Sequence, residues 1–459
     1  MRQQQRSIIQ LILFLLITQG FALAGHRLTL EQAIQIAFEK NPATNIARGH
    51  IAEAEAKMVQ ARAYRLPQVS LLSKYFYTNN LPNMYPQALN QVPVMTPGGP
   101  IAGQFVPMRP KAPFPGNNRD VFKMDVNLVY PFYTGGKISA ANRNAKLLKN
   151  LFQKNMEQTK AEIAYKVSLA FYNVLFLNNV IDVYQAALRQ LNQHMELAQK
   201  AYQQGVRSRF DVLQFQSKIE EFKSQIENFK GKLTTAKTGL KNLLNLPLND
   251  SLTVVGNLNA YQLKIDTTGQ IFTRAKNENY QLQMLSLKSK LYDNLKAINK
   301  ADRLPKLFAF ANFHVYHGMD FPPYDEGWRN GWATGVGVSF SLFDGQLSKG
   351  KVQEAEANRL VTESQQQGLL LKIRFKLKAA LENIRSLQAE LRALNKSLEV
   401  ASEGYKIAKV SYENGIITNV QLEDAHLNIL IMQVRILKVK KSLLEQQAQI
   451  LQLIGQYQQ

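Results

Sequence analysis

The sequence predicts a mainly α-helical protein with a membrane β-barrel, built from two structural repeats in the order helix, strand, strand, long helix, helix. Two long stretches place apolar or small residues at alternating steps of four and three, the heptad pattern of packed helices. The second stretch follows the first by 210 residues, from Ile163 to Ile373. Two shorter segments, 121–132 and 332–343, alternate apolar with polar or small residues, which is typical of strands with one apolar face.

Residues 1–24 have the pattern of a signal peptide. Arg2 and Arg6 precede an apolar run at 8–17, and Ala22-Leu23-Ala24 is an A-x-A cleavage site. A membrane anchor is the alternative, but a spanning helix needs about 20 apolar residues. No later run reaches about 18 such residues. We therefore expect an exported chain that can enter a membrane only as a β-barrel.

Composition excludes several kinds of site. The chain has no cysteine and only six scattered histidines, so we expect no disulfide, no metal and no cofactor. Its formal net charge is +22, but the basic residues are spread along helices, and we expect no nucleic-acid partner. Attraction to anionic lipid headgroups or to an acidic partner remains open. Since no phosphate loop, nucleophile system or supported acidic pair occurs, we expect no enzyme.

The two heptad stretches predict long helices at 138–203 and 346–413. The first seam comprises Ile163, Val167, Ala170, Val174, Leu177, Ile181, Tyr184, Leu188, Leu191, Met195, Ala198 and Tyr202. Its counterpart comprises Ile373, Leu377, Ala380, Ile384, Leu387, Leu391, Leu394, Leu398, Ala401, Tyr405, Ala408 and Tyr412. At 1.5 Å per residue each helix would be about 100 Å long. Helices of this length predict a rod or tube.

A second apolar seam follows each long helix and predicts an antiparallel returning helix, at 207–245 and 418–456. Gly205 and Gly415 stand at the two turns, where the left-handed conformation that glycine tolerates ends a helix. Asp211 and Asn419 lie near the start of the returning helices, where a side-chain oxygen can cap or favour the N-terminus.

Strands are predicted upstream of each long helix, at 67–79 and 120–132 and again at 305–317 and 331–343. They follow helices predicted at 29–65 and 271–303 and the matched breakers Arg65-Leu66-Pro67 and Arg303-Leu304-Pro305. The first repeat thus covers 25–245, the second covers 271–459, and 246–270 joins them.

The segment 81–118 between the first two strands holds nine of the chain's 16 prolines and has no periodicity. We interpret it as a long surface loop without strands, because proline cannot donate to a ladder. The four predicted strands cannot close a barrel alone, since open edges are not tolerated in lipid. Three copies would supply a barrel of 12 strands and a tube of 12 helices.

The chain resembles the TolC-like outer-membrane efflux proteins. The resemblance covers essentially the whole mature chain. It rests on "LTLEQAIQIAFEKNP" (28–42), "RLPQ" (65–68), "PFYTGGK" (131–137) with its echo "SLFDGQ" (341–346), and two tip motifs of the form G-x-x-[ST]-x-x-D/Q.

The resemblance implies a homotrimer with a β-barrel in outer-membrane lipid and a periplasmic helical tunnel that closes at the tips. Such proteins are passive exit ducts of tripartite efflux pumps or type I secretion systems, and a periplasmic adaptor and an inner-membrane transporter dock on them. Helix 29–65 would stack on helix 207–245, and 246–270 would form part of an equatorial girdle. Drugs, metal ions, polypeptides and polysaccharide precursors all remain open as cargo.

Gate residues are also implied by the resemblance. Tyr412, Gly415 and Asp424 match the family's second tip, and Gly205 and Asp211 match the first. Gln421 replaces an acid and Ile417 replaces a linking arginine, so Asp424 alone would form one acidic ring that binds cations. The alternative is that Asp424 is a solvated helix residue and Asp211 an N-cap.

The expected adaptor-docking residues lie in the turns, where they could also serve only to cap helices. They are Val206, Arg207, Ser208, Arg209, Ile416, Ile417 and Thr418, beside the turn glycines. The rival function is an exported trimeric coiled-coil or adhesin-type protein without a channel. It does not explain the membrane-length strands, and an ordinary porin would need more strands and fewer helices.

Overall fold

The structure is a computed structural model that describes residues 26–78, 91–96, 99–107, 119–260, 268–318 and 327–457. The predicted signal peptide lies outside these residues, as do most of loop 81–118 and part of 246–270. The chain divides into two compact units. The first comprises Met1–Ala54, Leu147–Lys290 and Arg359–Gln459, and the second comprises Glu55–Lys146 and Leu291–Asn358.

Helices dominate the described part of the chain. They are α1 (Leu30–Lys40), α2 (Pro42–Ala63), α3 (Lys137–Gln203), α4 (Arg209–Leu243), α5 (Thr268–Glu278), α6 (Tyr280–Ala301), α7 (Leu347–Glu413) and α8 (Asn419–Leu453). The strands are β1 (His26–Leu28), β2 (Gln68–Thr78), β3 (Gln91–Thr96), β4 (Gly99–Pro107), β5 (Arg119–Tyr133), β6 (Leu252–Val254), β7 (Lys306–His317) and β8 (Arg329–Ser339).

Two helical hairpins form most of the first unit. The first hairpin is α3 with α4, and the second hairpin is α7 with α8. The long helices have 67 residues each and the returning helices 35 each. The heptad seams lie on their packed faces: Val167 and Ile384 are fully buried, as are Leu240 and Ile450. Tyr202 is the exception, because 40% of it is exposed.

The predicted helices 29–65 and 271–303 are each interrupted, which corrects the sequence interpretation. Asn41 is extended between α1 and α2, as expected of a residue before proline. Its amide donates to the Leu243 carbonyl at the end of α4 over 3.0 Å. Asn279 separates α5 from α6, and its amide donates to the Leu453 carbonyl at the end of α8, also over 3.0 Å. Both breaks therefore anchor the end of a returning helix.

The connection between the hairpins carries a short parallel pair of β1 with β6. Leu252 and Val254 of β6 are buried in a core cluster that also holds Phe171 of α3 and Leu240 of α4. Of this pair, β6 lies in the part of 246–270 that the structure describes, and β1 directly precedes α1.

A four-stranded antiparallel sheet with the order β2-β5-β7-β8 forms the centre of the second unit. Its register places Leu71, Val126, Phe313 and Trp332 in one row across the four strands. The neighbouring row is Ser70, Asn127, Asn312 and Ala333, and it points to the opposite face because side chains alternate. One face of the sheet is thus mainly apolar, and the other mixes polar and small residues with apolar ones such as Val129 and Phe310.

Two expectations about the strands are wrong. Loop 81–118 contains a hairpin of β3 with β4, whose pairing shifts register between Pro93 and Met95. Strand β8 ends at Ser339, so Phe340 and Leu342 lie beyond the sheet rather than in the predicted strand 331–343.

By length and composition alone, one described helix, Lys137–Gln203, has a window apolar enough to cross a membrane. Half of that window is buried, which is equally typical of a core helix.

Candidate functional site

The turns of the two hairpins have the same backbone. Gly205 has φ of +70° and Gly415 has φ of +76°, the left-handed conformation that ends a helix. The next amide closes each turn: Val206 N–H donates to the Ala201 carbonyl over 2.9 Å, and Ile416 N–H donates to the Ser411 carbonyl over 2.8 Å. We call residues 204–208 the first tip and 414–418 the second tip.

Each returning helix starts with a capping box, and this corrects the expectation that Asp211 or Asn419 is the cap. Ser208 caps α4, and its partner at the third helical position is Asp211, whose carboxylate accepts from the Ser208 N–H over 3.3 Å. Thr418 caps α8, and its partner is Gln421, whose side-chain oxygen accepts from the Thr418 N–H over 3.0 Å. Gln421 therefore takes in α8 the place that Asp211 takes in α4, and the cap is kept.

The two hairpins share one apolar cluster beside their tips, which we call the tip core. Its buried members are Ala187, Leu191, Ala198, Phe215, Ile219, Phe222, Tyr405, Tyr412, Leu422 and Leu430. All four hairpin helices contribute to it. Phe215 is 1% exposed and Leu422 is fully buried, so the hairpins are held together by burial of large apolar side chains.

Arg207 of the first tip links it to the second. Its guanidinium donates to the carbonyls of Tyr412 and Ile417 over 3.0 and 3.3 Å, and it lies 4.5 Å from the centre of the Tyr412 ring. Tyr412 is buried, which raises the pKa of its hydroxyl, with Arg207 opposing that shift and Asp211 adding to it. The ring of Tyr412 thus packs in the apolar tip core, and the guanidinium of Arg207 lies against its face in a cation–π contact.

Two further polar contacts join the returning helices. The Asn419 amide of α8 donates to the side-chain oxygen of Gln214 in α4. Lys218 of α4 lies 3.2 Å from Glu423 of α8 and 2.8 Å from Glu221. Burial alone would lower the pKa of Lys218, but its hydrogen bonds to the two glutamates outweigh burial and raise it.

Comparison with known proteins identifies the family of the chain. A family model described as outer membrane efflux protein matches residues 33–246 and 272–456. The chain belongs to the outer membrane efflux protein family.

Solved structures give the same fold for this efflux protein. The outer membrane protein VceC of Vibrio cholerae has a TM-score of 0.72 and 17% identity, over 93% of this chain and 96% of that chain. CusC, a protein that forms a transmembrane channel, has a TM-score of 0.75 and 14% identity, over 95% and 94%. The MtrE outer membrane channel of Neisseria gonorrhoeae, in its open state, has a TM-score of 0.72 and 14% identity, over 93% and 89%. No curated protein matches the sequence.

The expected gate residues of this efflux protein lie at the tips but differ in exposure. Asp424 and Gln421 are exposed on α8, Asp211 is partly buried, and Tyr412 is buried. Glu423, rather than Asp424, makes the ion pair between the returning helices. Among the expected docking residues, Val206 and Ile416 are 68% and 75% exposed. Ser208, Arg209 and Thr418 are exposed, whereas Arg207 and Ile417 are partly buried.

Sequence reasoning missed a buried polar cluster beside the tip core, formed by His194, Tyr405 and His426. Nε2 of His194 lies 2.7 Å from the Tyr405 hydroxyl, and the two histidine rings are 6.2 Å apart. The histidines are 2% and 3% exposed. They come from α3 and α8, and the tyrosine comes from α7. No periodic signal marks the two histidines, because His194 precedes the seam residue Met195 and His426 follows Ala425, whereas Tyr405 belongs to the second seam.

Proposed function

We propose that this outer membrane efflux protein is a homotrimeric exit duct that passively conducts substrates from an inner-membrane transporter and a periplasmic adaptor across the outer membrane. It serves a tripartite efflux pump or a type I secretion system. The observation that carries the proposal is the open four-stranded sheet with one apolar face, in a chain of this family.

The sheet supports the assembly through its edges. Within the described residues, β2 and β8 are each paired on one side only. Since lipid does not tolerate unpaired edges, another copy must supply the missing partners. The strand directions alternate, so β8 of one copy meets β2 of the next in antiparallel order. Three copies give 12 strands, an even number as in bacterial outer-membrane barrels. Strands of 11 to 15 residues are long enough to cross the bilayer.

The apolar face of that sheet suits lipid. Tyr75, Trp332, Val336 and Val338 are between 67% and 80% exposed in the single chain. Exposure of this size is expected of a surface that lipid covers. The polar face, where the Asn312 amide donates to the Asn127 side-chain oxygen over 2.7 Å, would line the lumen.

The tips are the proposed gate. The link from Arg207 to Tyr412 fixes the two tips of one chain to each other. With three copies, Asp424 would form a ring of three carboxylates, which repel one another and attract cations. Gln421, one turn earlier, is used in the capping box and adds no charge.

The exposed apolar tips are the proposed docking surface for the adaptor. Val206 and Phe210 of the first hairpin, with Ile416 of the second, are at least 65% exposed. Single exposed apolar residues are common, but three at the turns of two hairpins mark a binding surface.

The test is single-channel conductance of the purified full chain in a planar bilayer, with the number of copies measured in detergent. We expect three copies and a small, cation-selective conductance. Asp424→Ala should reduce the selectivity and the block by multivalent cations. The matched control is Glu399→Ala, which removes an exposed acid of α7 away from the tip. Absence of conductance from inserted protein, also with the tip loosened by Tyr412→Ala, would overturn the duct and favour the coiled-coil structural protein.

A further inference from the structure

We propose that His194, Tyr405 and His426 form a pH-sensitive catch, which holds the two hairpins together while the histidines are neutral and releases them on acidification. We call these three residues the catch. Its effect on conductance depends on the proposed function, since only then are the tips a gate. The pH response of the hairpin contact itself does not depend on it.

The catch joins both hairpins. His194 lies on α3, and its ring is 6.1 Å from Phe215 of α4. Tyr405 and His426 lie on α7 and α8, with ring centres 5.5 Å apart. The hydrogen bond between His194 and Tyr405 therefore crosses from one hairpin to the other. Separation of the hairpins would break this bond and bring both imidazoles into water.

Among the described residues, the packed site gives a hydrogen-bond partner to only one nitrogen of His194. A neutral imidazole offers one donor and one acceptor, whereas the protonated ring has two donors. Nε2 of His194 is used by Tyr405, and Nδ1 has no hydrogen-bond partner among the described residues although it is buried. A proton added to this ring would leave a buried donor unsatisfied, which is costly. Protonation of both rings would place two positive charges about 6 Å apart.

The charged groups on the packed helices do not compensate. Lys409 of α7 disfavours the protonated form of His194. Glu413 of the same helix favours that form, but its effect is smaller than that of Lys409. On α4, Lys218 is already paired with Glu221 and with Glu423 of α8. Asp424 of α8 and Glu196 of α3 are exposed. The side chain that α4 brings to His194 is Phe215, which is apolar.

Burial thus favours the neutral histidines. It lowers the pKa of His194, and it lowers the pKa of His426 to about 4, with His194 as the second cause. The packed state then binds fewer protons than the separated state, whose histidines titrate near pH 6.5. Stability of the packed state is therefore full above about pH 6.5 and is lost as the pH falls toward 4. His426 alone shifts the equilibrium toward separation by about 30-fold between pH 7.5 and 5.0.

The test uses spin labels, because the chain has no native cysteine to interfere. Val206→Cys and Ile416→Cys place one label on each exposed tip. The labelled full chain is diluted with unlabelled chain, so that only the distance within one chain is measured. We expect a narrow distance distribution at pH 7.5 and a broad, longer one at pH 5.0. In the His426→Gln background the distribution should stay narrow at both values.

Glutamine is a matched replacement, because Gln216 stands at the position of the first hairpin that corresponds to His426. His194→Gln is the second variant and should also reduce the pH response. His50→Gln removes a histidine of α2 whose side chain is 45% exposed, and it should leave the response unchanged. The catch is overturned if wild type shows no change, or if the double variant His194→Gln with His426→Gln responds as wild type does.

Conductance at the two pH values separates this inference from the proposed function. An increase at pH 5.0 that depends on His426 supports both. A change in label distance without a change in conductance supports the catch and contradicts the gate at the tips. A change in conductance that the glutamine variants retain contradicts the catch and leaves the gate supported.

Discussion

The two hairpin tips have the same backbone and different side chains. Both end a 67-residue helix with a left-handed glycine, and both start the next helix with a capping box. At corresponding positions, however, Tyr202 is 40% exposed and Tyr412 is 5% exposed. Arg207 corresponds to Ile417, and Gln216 corresponds to His426.

Local sequence thus determines the backbone of each turn, whereas packing between the hairpins determines the side-chain contacts. Glycine and the capping residues act within a few residues of the chain, so they can be the same in both tips. The linking groups must fit each other across the interface, so one tip supplies the arginine and the other supplies the aromatic ring. The proposed gate is therefore asymmetric within each chain.

The tyrosine pair gives the largest expected effect. Tyr412→Ala should lower the local opening free energy of the tip by about 3–5 kcal/mol, because it removes a buried aromatic ring. Tyr202→Ala should cost less than about 1 kcal/mol. Hydrogen exchange of residues 186–220 and 400–430 measures both. Equal effects of the two alanine variants would contradict the different roles of Tyr412 and Tyr202. Tyr412→Phe is the control: its hydroxyl has no hydrogen-bond partner among the described residues, so the change should be small.

The arginine link gives the next largest effect. Arg207→Ala should lower the same free energy by about 2 kcal/mol, because two charge-assisted hydrogen bonds and a cation–π contact are lost. Arg209→Ala is the matched control on the exposed side of the tip and should change it by less than about 0.5 kcal/mol. Arg207→Lys should lower the free energy less than Arg207→Ala does. A lysine keeps the positive charge, but its ammonium lacks the planar group that stacks on the Tyr412 ring and donates to both carbonyls. A lysine variant as stable as wild type would contradict the role of the guanidinium in these contacts.

The turn glycines should behave alike. Gly205→Ala and Gly415→Ala should each destabilise their tip by about 1–2 kcal/mol, the cost of a left-handed residue that carries a Cβ. No neighbouring atom lies within 4 Å of the added Cβ at either position, so the backbone is the whole cause. Hydrogen exchange of each tip measures the two costs separately. A clear inequality would show that the two turns are not equivalent.

The capping partners give the smallest expected effect. Asp211→Asn should weaken the start of α4 by about 0.3–1 kcal/mol, because a negative charge near a helix N-terminus is favourable. Gln421→Glu should strengthen the start of α8 by a similar amount. The exchange rates of the first-turn amides of α4 and α8 measure both changes. A stabilising Asp211→Asn would mean that repulsion from nearby acids outweighs the helix dipole.

The hairpins could be predicted from sequence because the period of their apolar residues and the turn glycines act locally. The break at Asn41 also had a local signal, since Pro42 excludes a helical conformation before it. The break at Asn279 had a weaker local signal, the preference of asparagine for the start of a helix, where its side-chain oxygen accepts from the Leu282 N–H. Its second contact, to the Leu453 carbonyl 174 residues away, has no local signal. Strands β3 and β4 were missed because their prolines argue against a strand. In a two-stranded hairpin both strands are edge strands, and edge strands tolerate proline.

The candidate site was less predictable than the fold. Gly205, Gly415 and Tyr412 could be located from the tip motifs. The role of Arg207 could not, because its partners Tyr412 and Ile417 lie more than 200 residues away. The hydrogen bond of His194 to Tyr405 spans 211 residues and follows no period. Such contacts exist only after the two hairpins have packed.

Single-channel conductance with the contacts between the tips removed tests most directly whether these contacts hold the channel closed. The variant combines Arg207→Ala with Tyr412→Ala, and the matched control combines Arg209→Ala with Tyr202→Ala. We expect a large increase in conductance for the first pair and wild-type conductance for the control. Wild-type conductance in both, from protein that inserts and assembles normally, would contradict the claim that contacts between the two tips hold the channel closed.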